Sequence, residues 1–139
     1  MSGLAFFDTN IFLYSDDPRS PEKQTQALRL ITEHQRSGLA MLSLQVLQEY
    51  FAAATRKLNI DPGFAQKKVE VMARMRVVRL TEGDVVSAIE LHRLHQVSFW
   101  DAMIIHAARI GGAATLYSED LQSGRDWAGL RVVNPFDTQ

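Results

Sequence analysis

Cysteine is absent from the 139-residue sequence. Disulfides and thiolate metal sites are therefore excluded, and the absence fits a reducing, cytoplasmic setting. No apolar run approaches the ~18–20 residues that a membrane span needs, so no membrane partner is expected. The N-terminal Met-Ser-Gly is not followed by the charged and apolar regions of a secretory signal. Phosphate-binding glycine loops, a GxSxG nucleophile elbow and a zinc-protease motif are all missing. So are repeats, linkers and low-complexity segments, which leaves one domain over residues 1–139 as the expectation. A net charge of −1 selects no partner class.

What is present has the balance of a soluble globular protein: 46% hydrophobic and 22% charged residues. Short β-prone pieces alternate with helical patterns. Strands are predicted at 4–8 (LAFFD), 39–43, 77–80, 114–118 and 130–133. Helices are predicted between them from their start and stop signals. Ser20 and Pro21 open one that stops at Gly38, and Ser43 caps the next. Asp61 caps a third, and Thr81 with Asp84 makes a capping box for a fourth. Ser98 opens a last helix that ends at Gly111-Gly112. Strands separated by helices require crossover connections. The expected fold is an α/β, three-layer α/β/α domain with a mainly parallel sheet of about five strands. Such sheets gather ligands at the carboxyl ends of their strands.

Four acids are candidates by that criterion. Asp8 ends strand 1 between two apolar runs, in GLAFFDTNIFLY, and would equally serve as N-cap of the segment 9–15. Asp120 lies two residues past strand 4, where a turn role is the plain alternative and Glu119 is a rival. Asp101 sits in FWDAMIIHAARI, a helix with nine apolar residues in twelve. Such a helix is buried on most sides, although a capping box with Ser98 also accounts for an acid there. Glu49 points away from the apolar stripe Leu44, Leu47, Phe51, Ala54 and Leu58, toward a second face with Val46 and Ala53. It is either a solvent-facing glutamate or the wall of a cleft.

Convergence of all four would have a cost. Two carboxylates ~6 Å apart repel by about 3 kcal/mol at an effective dielectric of 20. Such a site takes up protons or binds a cation. With oxygen ligands and no thiolates, that cation would be Mg²⁺ or Mn²⁺. The histidines compete poorly. His92 and His95 stand three apart on one helix with no third ligand evident, His34 reads as a helix-face residue, and His106 as a satisfied core histidine.

FFDTNIFLY, LQVLQEYF, SFWDAMIIHAA, LYSEDLQSG and RVVNPF, in this order and over nearly the whole chain, resemble the PIN-domain nuclease family, in particular its VapC-type toxins. The resemblance implies a Mg²⁺- or Mn²⁺-dependent endoribonuclease. Asp8, Glu49, Asp101 and Asp120 would be the metal-binding, catalytic acids, Asp120 through water. Thr9 and Asn10 would shape the turn around Asp8, and Ser118 would be a supporting hydroxyl. It also implies a structured RNA substrate such as tRNA or rRNA, a cognate antitoxin protein and a homodimer. Two positions depart from the family pattern. His106 stands where an aliphatic or small residue is more usual, and Ser123 where a further acid often appears.

Residues 51–80 carry seven basic residues against two acidic ones. Arg56, Lys57, Lys67 and Lys68 are the candidates to hold an RNA backbone, against the plainer reading of a solvated helix face. The rival functions are a phospho-accepting receiver-like domain, a phosphotransferase and an inert PIN-fold binding module. The first would want paired acids near strand 1, an acceptor Asp after strand 3, where Thr81-Glu82 stands, and a late Lys, whereas none lies beyond Lys68. The second lacks an acid two residues after Asp8, where Asn10 stands.

Overall fold

The computed structural model describes residues 3–137. Met1 and Ser2, which the reading of the N-terminus included, lie outside the described residues, as do Thr138 and Gln139. The chain runs β1 (Leu4–Phe7), α1 (Thr9–Ser15), α2 (Pro21–Arg36), β2 (Ala40–Ser43), α3 (Leu44–Arg56), α4 (Pro62–Met72) and β3 (Arg76–Val78). It continues through α5 (Glu82–His95), α6 (Phe99–Ile110), β4 (Ala113–Tyr117), β5 (Asp126–Trp127) and β6 (Leu130–Val133).

One sheet of six strands has the order β3-β2-β1-β4-β6-β5. Every pairing is parallel except β5 with β6. The mainly parallel α/β fold is as expected, with one strand more. The extra strand, β5, is two residues long and turns back through Ala128 and Gly129, at φ of 54° and 94°. Two positive-φ residues make the tight hairpin that a right-handed strand twist favours. Ala-Gly is a poor sequence signal for it, because alanine rarely adopts that conformation. Gly129 N–H is held by Asp126 Oδ1 at 2.7 Å, which helps fix the turn.

Local chemistry sets the helix starts. Ser43, Asp61 and Ser98 each accept a backbone N–H at a helix N-terminus, and Thr81 with Asp84 forms both halves of a capping box. Ser20 occupies the N-cap of α2 without a side-chain bond. The core is continuous through β1, where Phe6 and Phe7 are fully buried, and through α6, which packs over β2 and β4. β1 is buried on both faces, as parallel strands between helices are.

One helix turns a different face inward than its periodicity predicts. In α3 the buried residues are Val46, Tyr50 and Ala54, while Leu44 and Phe51 of the expected stripe are exposed. Tyr50 is drawn in by a polar partner, Asp16, whose carboxylate accepts its hydroxyl at 2.6 Å. The rotation leaves Glu49 at the margin of the buried face, half-buried, beside Tyr50.

Strand order fixes where a ligand site can form. From β1 the chain builds outward to β2 and β3, then returns to the other side of β1 for β4 and β6. The direction reverses between β1 and β4, so a crevice opens beyond their carboxyl ends.

Candidate active site

Asp8 is the first residue after β1, which ends one residue earlier than expected, and it is the N-cap of α1, as the capping reading had it. It is 6% exposed. Its Oδ1 accepts Thr9 N–H at 2.7 Å, and its Oδ2 accepts the Ser118 hydroxyl at 2.7 Å. Ser118 is fully buried, one residue past β4, and its Oγ also accepts Asp120 N–H at 3.2 Å and Leu121 N–H at 3.4 Å. A single hydroxyl therefore locks the β4 loop against the carboxylate of β1, across the crevice.

The other acids arrive from separate elements. Glu49 comes from α3, which follows β2. Its Oε1 accepts the Thr9 hydroxyl at 2.6 Å, and its Oε2 accepts Gln45 Nε2 at 3.0 Å. Asp120 accepts Asn10 Nδ2 at 3.0 Å, and Asn10 Oδ1 in turn accepts Glu119 N–H at 3.3 Å. Asp101 stands in the first turn of α6, where a helix N-terminus favours an anion. Ser98 Oγ accepts its N–H at 3.1 Å.

All four acids line one cleft of about 230 Å³, together with Thr9, Asn10, Gln45, Lys57 and Trp100. Ser118 lies beneath it. The cleft continues past Asn10 and Lys57 into a groove that reaches Arg19. The basic stretch divides. Lys57 lines the cleft, whereas Arg56 and Lys67 are exposed and line neither space. Lys68 is held by Asp16 at 3.0 Å and by Ser15 Oγ at 3.0 Å, an internal tie between α4 and α1.

The electrostatics are those of a site short of positive charge. Burial pushes the Asp8 carboxyl up from 3.8 to about 6. The Ser118 and Thr9 hydrogen bonds oppose the rise, and the charges of Glu49 and Asp120 add to it. Asp101 is raised by burial, opposed by Ser98 and reinforced by Asp120 and Glu49. Among the described residues, no Lys, Arg or His forms an ion pair with any of the four. The neighbouring Glu119 is different. Lys23 and the Tyr14 hydroxyl hold its carboxylate below its usual range against the effect of burial. Glu119 is thus neutralised as a clamp on the loop, and Asp120 is the acid that faces the cleft.

Gln45 is a cleft residue that no sequence motif singled out. Its signal was present: a Gln four residues before a Glu on one helix pairs with it. Among the histidines, His106 meets Asp84 at 3.0 Å, which satisfies it as expected. His92 and His95 are exposed, with no third ligand near them among the described residues. A larger cavity, about 750 Å³ between α5, α6 and the β5–β6 turn, contains none of the four acids. Its size is no guide to the chemistry.

These features place the chain in a class. The model of the PIN domain matches residues 5–123, and the chain belongs to that family. Two solved structures share its fold. A toxin-antitoxin complex from Klebsiella pneumoniae aligns at 17% identity and a TM-score of 0.68, covering 96% of this chain and 99% of the other. The Sarcin-Ricin loop cleaving toxin VapC20 of Mycobacterium tuberculosis aligns at 24% identity and a TM-score of 0.67, covering 84% and 89%. No curated protein matches the sequence.

The donor set suits a hard divalent cation: carboxylate oxygens, no thiolate, and a buried acid raised by its surroundings. No three His, Asp or Glu among the described residues are gathered closely enough to hold an ion as they stand. Glu49 and Asp120 are instead turned onto Thr9, Gln45 and Asn10. Drawing them to a common ion would require side-chain rotation.

Proposed function

We propose that this chain is a Mg²⁺- or Mn²⁺-dependent endoribonuclease and the toxin of a toxin–antitoxin pair. The observation that carries the reading is the convergence of Asp8, Glu49, Asp101 and Asp120, from four separate elements, on one cleft at the β1/β4 crevice. Membership of the PIN domain family supports it. So do a fold neighbour described as a toxin-antitoxin complex and another described as a Sarcin-Ricin loop cleaving toxin.

Asp8 and Asp101 are the proposed metal ligands, with Glu49 and Asp120 completing the shell or orienting the attacking water. A bound divalent ion supplies Lewis acidity toward the phosphodiester and a lowered water pKa. The chain's own residues set the frame. Ser118 and the Thr9 N–H fix both oxygens of Asp8, so its carboxylate has one orientation. Thr9 and Gln45 hold Glu49 until the site is loaded, and Asn10 does the same for Asp120. Lys57 lines the cleft, and its charge is the one proposed to offset an RNA phosphate there. An antitoxin protein, a homodimer and a cytoplasmic setting belong to the same reading, with residues 1–139 acting as one domain.

The test compares wild type with Asp101→Asn on total cellular RNA, with Mg²⁺ and with chelator. Cutting by the wild type alone, abolished by chelator, is the expected result. Equal cutting by both proteins, or cutting that survives chelation, would overturn the assignment.

A further inference from the structure

Trp100 is 60% exposed, although large aromatic side chains usually bury most of their area. It immediately precedes Asp101, and its ring meets that of Phe99 edge to face at 4.9 Å between centroids, which props the indole in place. Its backbone carbonyl accepts Gln45 Nε2 at 3.5 Å, which links it to the residue that holds Glu49. Trp100 lines the acidic cleft on one side. On its other side it walls a second pocket of about 190 Å³, floored by Val78, Leu80 and Met103, with Gln45 and Gln48 in its wall. The two spaces are neighbours through Trp100 and Gln45.

The second pocket has no charged lining residue, so it suits neither a phosphate nor a basic side chain. Its volume is below the roughly 300–1,000 Å³ of sites that enclose a whole drug-sized ligand. What its chemistry matches is one flat, neutral ring with hydrogen-bonding edges. Gln48 is exposed, and its side-chain amide offers both a donor and an acceptor. Unpaired bases in RNA are held in this way, by stacking on an aromatic side chain with their edges read by polar groups.

Resting on the ribonuclease reading above, we infer that Trp100, Gln48 and the pocket between them form a subsite for one unpaired nucleobase beside the scissile phosphate. Trp100 stacks the base, and Gln48 reads its edge. The subsite selects unpaired RNA and sets a base preference next to the cut.

Tryptophan emission tests this directly, because the second tryptophan, Trp127, is only 7% exposed. The protein carries Asp8→Asn and is kept in chelator, so that RNA is bound and not cut. The probes are a short single-stranded oligoribonucleotide and the same oligomer with an abasic site moved along it one position at a time. The oligomer should quench emission, and Trp100→Ala should abolish the quench and raise Kd roughly 5- to 150-fold. Trp100→Phe should restore most of the affinity. One abasic position should weaken the Trp100 protein and leave Trp100→Ala indifferent. With the catalytic acids intact, Gln48→Ala should flatten the base preference at that position among cut sites by lowering cutting of the preferred oligomer toward that of the others. Binding by Trp100→Ala with unchanged Kd would overturn the subsite and leave the nuclease reading standing. A changed oligomeric state with unchanged RNA affinity would also overturn it, marking Trp100 as a protein contact. Neither binding nor cutting of RNA by protein with intact acids would overturn both readings together.

Discussion

Asp8 carries a charge that its surroundings do not favour. Its carboxyl is raised from 3.8 to about 6, chiefly by burial. Between those values the folded protein keeps a proton that the unfolded chain has lost. Stability contributed by Asp8 is therefore full below about pH 4 and is lost as pH rises through about 6. The shift corresponds to about 3 kcal/mol as an upper figure. Asn caps a helix as well as Asp does and carries no charge. In chelator, Asp8→Asn should thus be more stable than wild type by about 1–3 kcal/mol at pH 7.5, with the gap closing near pH 4. Urea unfolding of the two proteins across that range measures it. A gap that widens toward acid would mean that the carboxylate is stabilised in the fold, contrary to its burial. A functional acid held against stability is a common pattern at active sites.

At the scale of elements, the basic stretch of α3 and α4 separates by partner. Lys57 lines the cleft, and Lys68 ties α4 to α1 through Asp16 while Tyr50 holds the same carboxylate from α3. Lys68→Glu should lower stability by about 1–3 kcal/mol, since it leaves Asp16 facing a like charge. Lys57→Ala should leave the melting temperature unchanged and raise the KM for RNA. Thermal unfolding and RNA-cleavage kinetics on both variants distinguish the roles, and a stable Lys68→Glu would refute the internal tie.

The far end of α6 supplies a second packing test. A Cβ on Gly111 would meet Met41 Sδ at 2.6 Å and Val78 Cγ2 at 2.8 Å. Met41 can move aside, but the branched Val78 cannot do so freely. Gly111→Ala should cost about 1–3 kcal/mol by overpacking, read by urea unfolding. A neutral result would show that α6 is free to shift on the sheet. The same elements show how far local signals reach. Ser43, Asp61, Thr81 with Asp84, and Ser98 announced the helix starts, because a cap acts on N–H groups within three residues. The stripe of α3 did not announce its buried face. Two apolar sets lie side by side on that helix, and the choice between them fell to Asp16, 34 residues away from Tyr50.

Across the whole molecule, the acids form a site only because the sheet brings their elements together. Mn²⁺ should therefore raise the melting temperature of wild type and not that of Asp8→Asn. A hundredfold excess over Kd corresponds to about 2.7 kcal/mol. Calorimetry with Mn²⁺ and then chelator measures the shift, and an unmoved wild type would refute metal binding.

By itself the sequence determined what depends on near neighbours. It set the alternation of strands and helices, the caps, the absence of thiolate chemistry, and the four acids as candidates for one site. Tertiary structure decided the rest: the strand order that opens the β1/β4 crevice, the two-residue β5, the burial that raises Asp8, and the bonds from Thr9 to Glu49 and Ser118 to Asp8. It also turned Lys68 inward and left Trp100 outward beside Asp101. The physical reason is range. Capping and periodicity act over one or two helical turns, whereas Ser118 lies 110 residues from Asp8 along the chain and 2.7 Å from it in the fold. No local pattern carries that distance.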